Sequence, residues 1–347
     1  MLPYLIFLII ILLCYYKRNP IGILITMVLF SVLRYDTGWD YASYIDTVRT
    51  PAEWAYAEFS KFSLLWRWLF EFSYNIHFPH FTIAFTNALT YIIVYHALKL
   101  LNLNRTDLCK ALIVYALWCN LYLGTFSVIR QSISIGLGLL MFAYIQRQSY
   151  IKSGLCFLIA VHLHTSAVIL IVLYPIYLLR NRLNFKSITI CSILVTLGIL
   201  NIFRLLENIP LFHQYLIYLG GGGKYGGLLV YMDLLFFLYL GFALYRQPNL
   251  STTEIQCFFI GIIAFLGRLT IFYAGLSIVI SRIFDYFAIF IIPIILPSLK
   301  IFKDQKTITN ITVGLLGLYF IAYLLITARG AQVASSGFVP YKCILFN

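Results

Sequence analysis

Long apolar stretches alternate with short polar connections along the whole chain. About 20 apolar residues suffice to cross the hydrocarbon core of a bilayer as a helix. The pattern predicts membrane spans at about 3–16, 21–33, 81–99, 111–126, 129–146, 187–206, 228–246, 254–275, 278–300 and 307–328. Residues 153–179 are too long for one span and short for two, which predicts a hairpin or broken helix that turns near His162–Thr165. We therefore predict an all-α polytopic membrane protein with about 10–12 transmembrane helices, as a single transmembrane domain over residues 1–347.

The polar stretch at 34–80 is too long for a simple connection. Within it, Arg67 and Glu71 are four residues apart and suit one polar helix face, while tryptophans and phenylalanines suit the other. We predict an amphipathic helix lying flat in the outer membrane interface. The short basic connections then all fall on one side, which an excess of Lys and Arg marks as cytoplasmic. On this topology 34–80 is an outer loop, and the Gly-rich stretch 207–227 is another.

Composition narrows the class further. The chain is 62% hydrophobic and 11% charged, with a mean hydropathy of +0.90, which excludes an ordinary soluble domain. The net charge of +13 could suggest nucleic acid, but the basic residues are dispersed between apolar spans, so topology and anionic lipid explain them and no nucleic-acid partner is predicted. The seven cysteines are scattered without a C-x-x-C pair, which favours buried apolar side chains over disulfides or metal ligands.

Charged and titratable side chains collect on the predicted outer side. They are Arg34, Asp36, Asp40, Arg130, His162, His164, Arg268, Arg282, Asp285 and Lys342. Ionisable groups near membrane depth are costly, so their concentration on one side indicates a site. Arg130 and Arg282 each lie near the predicted N-terminus of a helix, where a cation opposes the helix dipole. We expect something anionic to compensate them.

The segment that follows the second span has two interpretations. Residues 34–41 offer one cation, two carboxylates and several aromatic rings. They could be a turn and capping sequence at a helix end, and Gly38 argues against a regular helix through the middle. They could also form a sugar-binding loop, in which Asp36 or Asp40 serves as a general base.

Two further segments carry candidate chemistry. We expect Ser127 to cap the next helix, which would leave free N–H groups beside Arg130 as an anion site; a salt bridge from Arg130 to an outer aspartate is the alternative. His164, beside Thr165 and Ser166, is a candidate for substrate contact or proton transfer, or a histidine satisfied between helices. Two histidines without a third ligand are a weak zinc signal, so no metal site is predicted.

The last charged group is Arg282 and Asp285, which are three residues apart and could pair on one helix face. Arg268 lies on the preceding helix. The stretch 220–227 lacks the G-x-x-x-x-G-K-[ST] pattern and a flanking strand, so it is not a P-loop.

Several of these segments, in this order, resemble the EpsG-like family of bacterial polysaccharide polymerases, the Wzy-type enzymes. Residues 34–44, which run from Arg34 to Tyr44, resemble the family's R-x-x-x-G-x-D-x-x-x-Y segment. Ile129-Arg130-Gln131 resembles its N-x-x-R-Q segment, although Ser127 stands where Asn is common. His164-Thr-Ser-Ala167 resembles its H-x-S-A segment. Residues 281–287 and the tail at 339–342 are similar to late segments of such proteins.

The resemblance implies glycan extension on the outer, periplasmic side of the bacterial inner membrane. Such enzymes move an oligosaccharide en bloc from undecaprenyl pyrophosphate onto an incoming lipid-linked repeat unit, with inversion if the displacement is direct. It implies donor and acceptor lipids as partners, a separate chain-length regulator, and no cofactor or metal, since arginines can stabilise the leaving group.

The same resemblance suggests roles for individual residues. It assigns donor pyrophosphate to Arg130 and Arg282, with Arg34 or Arg268 assisting or holding the acceptor diphosphate. It assigns the base role to His164 first, then to Asp40 or Asp36. Gln131, Tyr44 and Asp285 complete the predicted substrate-binding set. A lipid-linked oligosaccharide flippase is the main alternative. Charges near the membrane midplane would favour a flippase, whereas the charges here collect on one side. An O-antigen ligase shares the donor chemistry, whereas an O-acetyltransferase would need a cytoplasmic acyl-donor channel near its histidine.

Overall fold

The computed structural model describes residues 1–50, 62–183, 242, 245, 251–273, 278–298, 304–330 and 338–346. The predicted spans 187–206 and 228–246 and the Gly-rich loop 207–227 lie outside these residues, apart from positions 242 and 245. The described chain is almost entirely helical, which confirms the all-α polytopic class. Two-residue strands at its two ends are the exception within the described part.

The first part of the chain forms the following elements, in order: α1 (Leu2–Tyr16), α2 (Pro20–Val32), β1 (Arg34–Tyr35), α3 (Tyr41–Arg49), α4 (Leu64–Asn75), α5 (Phe81–Leu100), α6 (Arg105–Leu117), α7 (Cys119–Tyr122), α8 (Gly124–Ser127), α9 (Ile129–Gln146) and α10 (Tyr150–Leu163). After a 3₁₀ helix (Thr165–Val172), the described elements are α11 (Leu173–Leu178), α12 (Thr252–Tyr273), α13 (Ile278–Ala288), α14 (Ile292–Ser298), α15 (Gln305–Gly330) and β2 (Lys342–Cys343).

Three described helices are long and apolar enough to cross a membrane: α5, α12 and α15. A fourth span results if α6 is counted with the short helices that follow it. The sequence predicted a span at 111–126, and the structure places a break within it, at which the chain bends by 75°. Trp118 leaves the helical conformation there, with φ −80° and ψ 100°. The broken helix predicted at 153–179 is confirmed, since α10 ends at Leu163 and a 3₁₀ segment follows.

Local sequence explains where several helices begin. Pro20 occupies the first turn of α2, where its missing N–H costs nothing, and the Asn19 side chain accepts a hydrogen bond from the Gly22 N–H at 3.1 Å. Asn104 caps α6 in the same way through the Asp107 N–H at 2.9 Å. Ser251 and Glu254 form a reciprocal capping box before α12.

The helices group into two compact units. One comprises residues 1–168 and 307–347, and the other comprises residues 169–306. In the first unit α9 packs between α5 and α10, and small residues allow this, since a Cβ at Gly136 would already touch Val94 at 3.4 Å. In the second unit α12 packs against α13, and Gln256 donates a hydrogen bond to the Ile176 carbonyl at 3.2 Å.

Candidate functional site

The segment 34–44 forms a tight loop that packs against the end of α8. Asp36 and Gly38 both have positive φ angles, 43° and 103°, and α3 begins directly after Asp40. A Cβ at Gly38 would lie 2.1 Å from the carbonyl oxygen of Phe126. The next N–H, of Trp39, donates to the Ser127 Oγ at 3.2 Å. The structure thus brings the first two resembling segments into direct contact.

Ser127 does not have the capping role that the sequence predicted. Helix α9 begins at Ile129 with Val128 in the capping position and without a side-chain cap. Ser127 instead ends α8, and its hydroxyl accepts the Trp39 N–H. The prediction failed because a cap is a local inference, whereas this hydroxyl is taken by a loop far away in sequence.

Arg34 is completely buried, with 0% of its surface exposed. Its guanidinium carbon lies 4.3 Å from the centroid of the Phe126 ring, a cation–π contact. With the Asn87 amide oriented to satisfy its neighbours, the Asn87 oxygen accepts from Arg34 Nη2 at 3.1 Å. Within the described residues, Nε and Nη1 have no hydrogen-bond partner. Burial lowers the pKa of Arg34 to about 10, which leaves the guanidinium charged at neutral pH.

The C-terminal tail completes this loop. Strand β2 pairs antiparallel with β1, so that Tyr35 faces Lys342. The Lys342 ammonium forms an ion pair with Asp36 at 2.5 Å, and the Tyr341 hydroxyl donates to the Phe30 carbonyl at 2.5 Å. The first and last of the resembling segments therefore form one structure.

Arg130 lies in the first turn of α9 and is partly exposed. Its guanidinium stacks on the Phe62 ring, with 4.7 Å between the guanidinium carbon and the ring centroid. The Tyr44 hydroxyl lies close enough to Arg130 to experience its charge. Burial raises the pKa of Tyr44, against the opposing effect of the Arg130 charge, so Tyr44 stays a neutral phenol. Gln131, the next residue, is buried.

His164 occupies the break after α10, in an extended conformation with φ −152° and ψ 112°. Its Nδ1 lies 2.6 Å from the Ser166 Oγ, and its carbonyl accepts the Ala167 N–H at 2.9 Å. This turn explains the spacing of the H-x-S-A segment, because the serine reaches back to the histidine while Ala167 is fully buried.

One aromatic cluster connects Arg130 and His164. Its buried members include Tyr44, Trp66 and Ile129, and Phe62 and Leu163 pack on it. The Trp66 Nε1–H donates to the Leu163 carbonyl at 3.1 Å, which ties α4 to the residue before His164. Among the described residues of the first unit, the structure thus gathers the predicted site residues Arg34, Asp36, Asp40, Tyr44, Arg130, Gln131 and His164 around the 34–44 loop and this cluster.

His80 is a buried polar residue for which the sequence predicted no chemistry. Its Nε2 lies 2.6 Å from the Val32 carbonyl, and its Nδ1 lies 3.0 Å from the Tyr41 hydroxyl. Since a carbonyl only accepts, Nε2–H donates to Val32 and the Tyr41 hydroxyl donates to Nδ1. Burial lowers the pKa of His80 and raises that of Tyr41 to about 12, so both are neutral. The sequence signal that could have identified His80 is its position directly before the apolar helix α5.

The remaining predicted residues belong to the second unit. The sequence offered Arg282 as one possible partner of Asp285. The structure pairs Asp285 with Arg268, whose Nε donates to Asp285 Oδ1 at 3.0 Å and whose Nη2 bonds the same oxygen. Gly267 makes this pairing possible, because a Cβ there would lie 2.2 Å from the Phe284 ring. The two helices therefore approach closely enough for a cross-helix pair. Arg282 is partly exposed on α13.

Comparison with known proteins gives one result. No curated protein and no solved structure matches the chain. The family model of the EpsG family matches residues 20–343, which is nearly the whole chain and includes every predicted site residue. The chain therefore belongs to the EpsG family, a polysaccharide polymerase family related to Wzy.

Proposed function

We propose that this membrane protein extends a polysaccharide by moving a lipid-linked glycan onto a lipid-linked acceptor. Family membership supports the polymerase role in general. The finer proposal is en bloc transfer from undecaprenyl pyrophosphate to an incoming repeat unit, on the periplasmic side of the bacterial inner membrane. The transfer inverts the anomeric centre and uses arginines in place of a metal ion.

The observation that carries this proposal is the placement of Arg130. In the first turn of α9 its guanidinium stacks on the Phe62 ring and its charge acts on the Tyr44 hydroxyl, and the residue remains partly exposed. The first N–H groups of a helix have no partner within the helix, and they favour anions. A guanidinium binds phosphate through two parallel hydrogen bonds, each worth about 1.5–3 kcal/mol. Arg130 is therefore our first candidate for the donor pyrophosphate.

The reaction needs one bond to form and one to break. The acceptor hydroxyl oxygen attacks the anomeric carbon of the donor sugar, and the bond from that carbon to the pyrophosphate oxygen breaks. The electron pair leaves with undecaprenyl pyrophosphate, whose developing charge the arginines stabilise. The acceptor proton passes to a base. Direct displacement on the face opposite the leaving group inverts the centre.

His164 is the proposed base, and its hydrogen bond to Ser166 sets a condition. If the Ser166 hydroxyl donates to Nδ1, then the proton of the neutral ring sits on Nε2, which cannot accept another. If Nδ1–H donates to Ser166, Nε2 is an acceptor and can take the proton. We propose the second tautomer. Asp40 and Asp36 are the alternatives, and Asp36 is the weaker one because Lys342 already pairs with it.

The other three arginines complete the proposed phosphate-binding set. We assign Arg282 to the donor pyrophosphate together with Arg130. Arg34 or Arg268 would assist at the donor or hold the acceptor diphosphate. Arg268 is the better placed of the two, because Arg34 is completely buried, whereas Arg268, which is paired with Asp285, is partly exposed. Gln131, Tyr44 and Asp285 support the bound substrate from neighbouring positions. Both lipid-linked substrates, membrane lipid and a chain-length regulator are the proposed partners.

The test is a set of variants in a strain that lacks the polymerase gene, scored by the glycan ladder. Arg130→Ala should abolish the ladder and leave single-repeat products, while Arg130→Lys retains charge but loses the bidentate geometry and should keep a weak ladder. Arg147→Ala is the matched control, because Arg147 follows the opposite end of α9 and bonds the Leu100 carbonyl and Asn102. Membrane abundance is measured for each variant.

Three results would count against the proposal. An intact ladder in Arg130→Ala at normal abundance would remove the anion site. Loss of glycan transfer to a lipid A core, with polymer still made, would indicate an O-antigen ligase. Repeat units that accumulate on the cytoplasmic side when the protein is deleted would indicate a flippase.

A further inference from the structure

We propose that an apolar groove in the first unit binds the isoprenoid chain of the lipid-linked donor; this inference rests on the function proposed above. The groove has a volume of about 460 Å³, within the range of about 300–1,000 Å³ usual for ligand sites. Four helices, α4, α5, α9 and α10, form its walls. Its lining includes Trp66, Phe72, Leu89, Leu137, Ile159 and Leu163.

The groove offers hydrocarbon contacts and few polar groups. Thr86 is the one hydroxyl among its lining residues, and that hydroxyl donates to the Thr82 carbonyl at 2.7 Å. The indole N–H of Trp66 is likewise taken by the Leu163 carbonyl. The Trp68 indole is the other polar group in the lining. A polar ligand would therefore find few partners there and would lose much of its hydration. A hydrocarbon chain has no hydrogen bonds to water that it would lose on entering the groove.

Arg130 lies about one helical turn before the first residue with which α9 lines this groove. Ile133 and Leu137 line it from α9, three and seven residues after Arg130, so all three lie on the same helix face. The helix rises about 1.5 Å per residue, which places Arg130 about 10 Å along the axis from Leu137. On α10, Leu163 lines the groove and His164 follows it directly. The groove therefore leads from an apolar interior to the proposed anion site.

This arrangement matches an amphiphile with a phosphate head and one long hydrocarbon chain. A single groove holds one chain, which favours a polyprenyl phosphate over a phospholipid with two acyl chains. The groove is open at its side, since Ile159 is 44% exposed, so a chain could enter laterally from the bilayer. Chain burial in the groove would set the distance between the pyrophosphate and Arg130.

The test measures binding of undecaprenyl phosphate, which carries no sugar, to the purified full chain in nanodiscs. Ile159→Trp fills the groove and should weaken binding about tenfold, the effect of losing roughly two methylene contacts. Leu158→Trp is the matched control, because Leu158 is the neighbouring residue, is 63% exposed and does not line the groove. It should bind as the wild type does. Excess phosphatidylglycerol should not displace the probe.

A second variant pair avoids any question of folding. The photoreactive residue p-benzoyl-phenylalanine replaces Phe72, which lines the groove, or Tyr74, which lies on the same helix outside it. Both side chains are large and exposed. Crosslinking to undecaprenyl phosphate is expected at position 72 and not at position 74. Equal crosslinking at both positions, unchanged binding by Ile159→Trp, or displacement by phosphatidylglycerol would overturn the groove assignment.

The two proposals fail in different ways. If the glycan ladder does not depend on this protein but the groove variants behave as expected, the proposed polymerisation mechanism is wrong. The groove would then still be supported as a polyprenyl phosphate site. If Arg130→Ala abolishes the ladder while Ile159→Trp binds the probe normally, the groove falls and the polymerisation mechanism stands.

Discussion

Gly38 lies so close to Phe126 that a Cβ atom added to it would be only 2.1 Å from the Phe126 carbonyl oxygen. The φ angle of Gly38, 103°, is also one that L side chains rarely adopt. The absence of a side chain therefore fixes the approach of the 34–44 loop to α8. The same approach places the Arg34 guanidinium over the Phe126 ring.

Gly38→Ala should therefore damage both stability and activity. Positive φ alone costs a non-glycine residue about 1–2 kcal/mol, and the backbone contact adds to that cost because a carbonyl oxygen cannot rotate away. We expect a lower melting temperature in detergent and a lost or weak glycan ladder. Gly154→Ala is the control, since a Cβ at Gly154 meets nothing within 4 Å, and it should melt at or above the wild-type temperature. A Gly38→Ala protein of normal stability would contradict the proposed packing.

A second prediction concerns the orientation of the proposed base. Ser166→Ala removes the partner of His164 Nδ1 and should lower the elongation rate about tenfold, the cost of losing one oriented hydrogen bond. Thr165→Ala changes the exposed residue between the two and should have little effect. The rate is followed as ladder length against time at several pH values. A role in folding alone would reduce protein abundance without changing the pH profile of the remaining activity.

A third prediction follows from the neutral His80. Burial holds the pKa of His80 below its usual value of 6.5, so the unfolded chain binds a proton that the folded chain does not. Protonation therefore favours unfolding. The stabilising contribution should be complete above about pH 6.5 and should be lost as the pH falls from there toward the lowered pKa of the folded state.

The measurement compares melting temperatures of wild type and His80→Gln between pH 8 and pH 5, a range chosen around the usual histidine pKa of about 6.5. Gln keeps a donor for the Val32 carbonyl and an acceptor for the Tyr41 hydroxyl but does not titrate. We expect the variant to lose less stability than the wild type as the pH falls. Equal losses would mean that His80 does not carry the acid sensitivity.

Features decided by neighbouring residues could be predicted from the sequence. Among the described helices, the apolar runs located α1, α2, α5, α9, α12 and α15. The polar His162–Thr165 stretch within an apolar segment located the broken helix. The amphipathic pattern of 62–76 located α4, which forms a helix from Leu64 to Asn75. Its depth relative to the membrane stays a prediction.

Features decided by distant residues could not be predicted. The pairing of Tyr35 with Lys342 joins segments at opposite ends of the chain, and two-residue strands leave no periodic signal. Ser127 looked like a cap because its sequence neighbourhood fits one, but the Trp39 N–H takes its hydroxyl. Asp285 has a plausible partner three residues away in Arg282, but the close helix packing at Gly267 allows Arg268 to bond to it. Competition between local and distant partners is decided by packing.

The Arg268–Asp285 pair leads to the last prediction, which separates a structural role from a substrate-binding one. Both side chains are mostly buried, at 16% and 24% exposed, so removing one leaves a charge without its partner. Arg268→Ala and Asp285→Ala should each destabilise the protein, and the double variant should be less destabilised than the sum of the two. We expect a coupling energy of about 1–3 kcal/mol, discounted for partial solvent exposure. Thermal unfolding of the four proteins in detergent measures it. If Arg268 serves mainly to bind an anionic substrate, Arg268→Ala will instead melt like the wild type while the glycan ladder is lost, and the coupling to Asp285 will be close to zero.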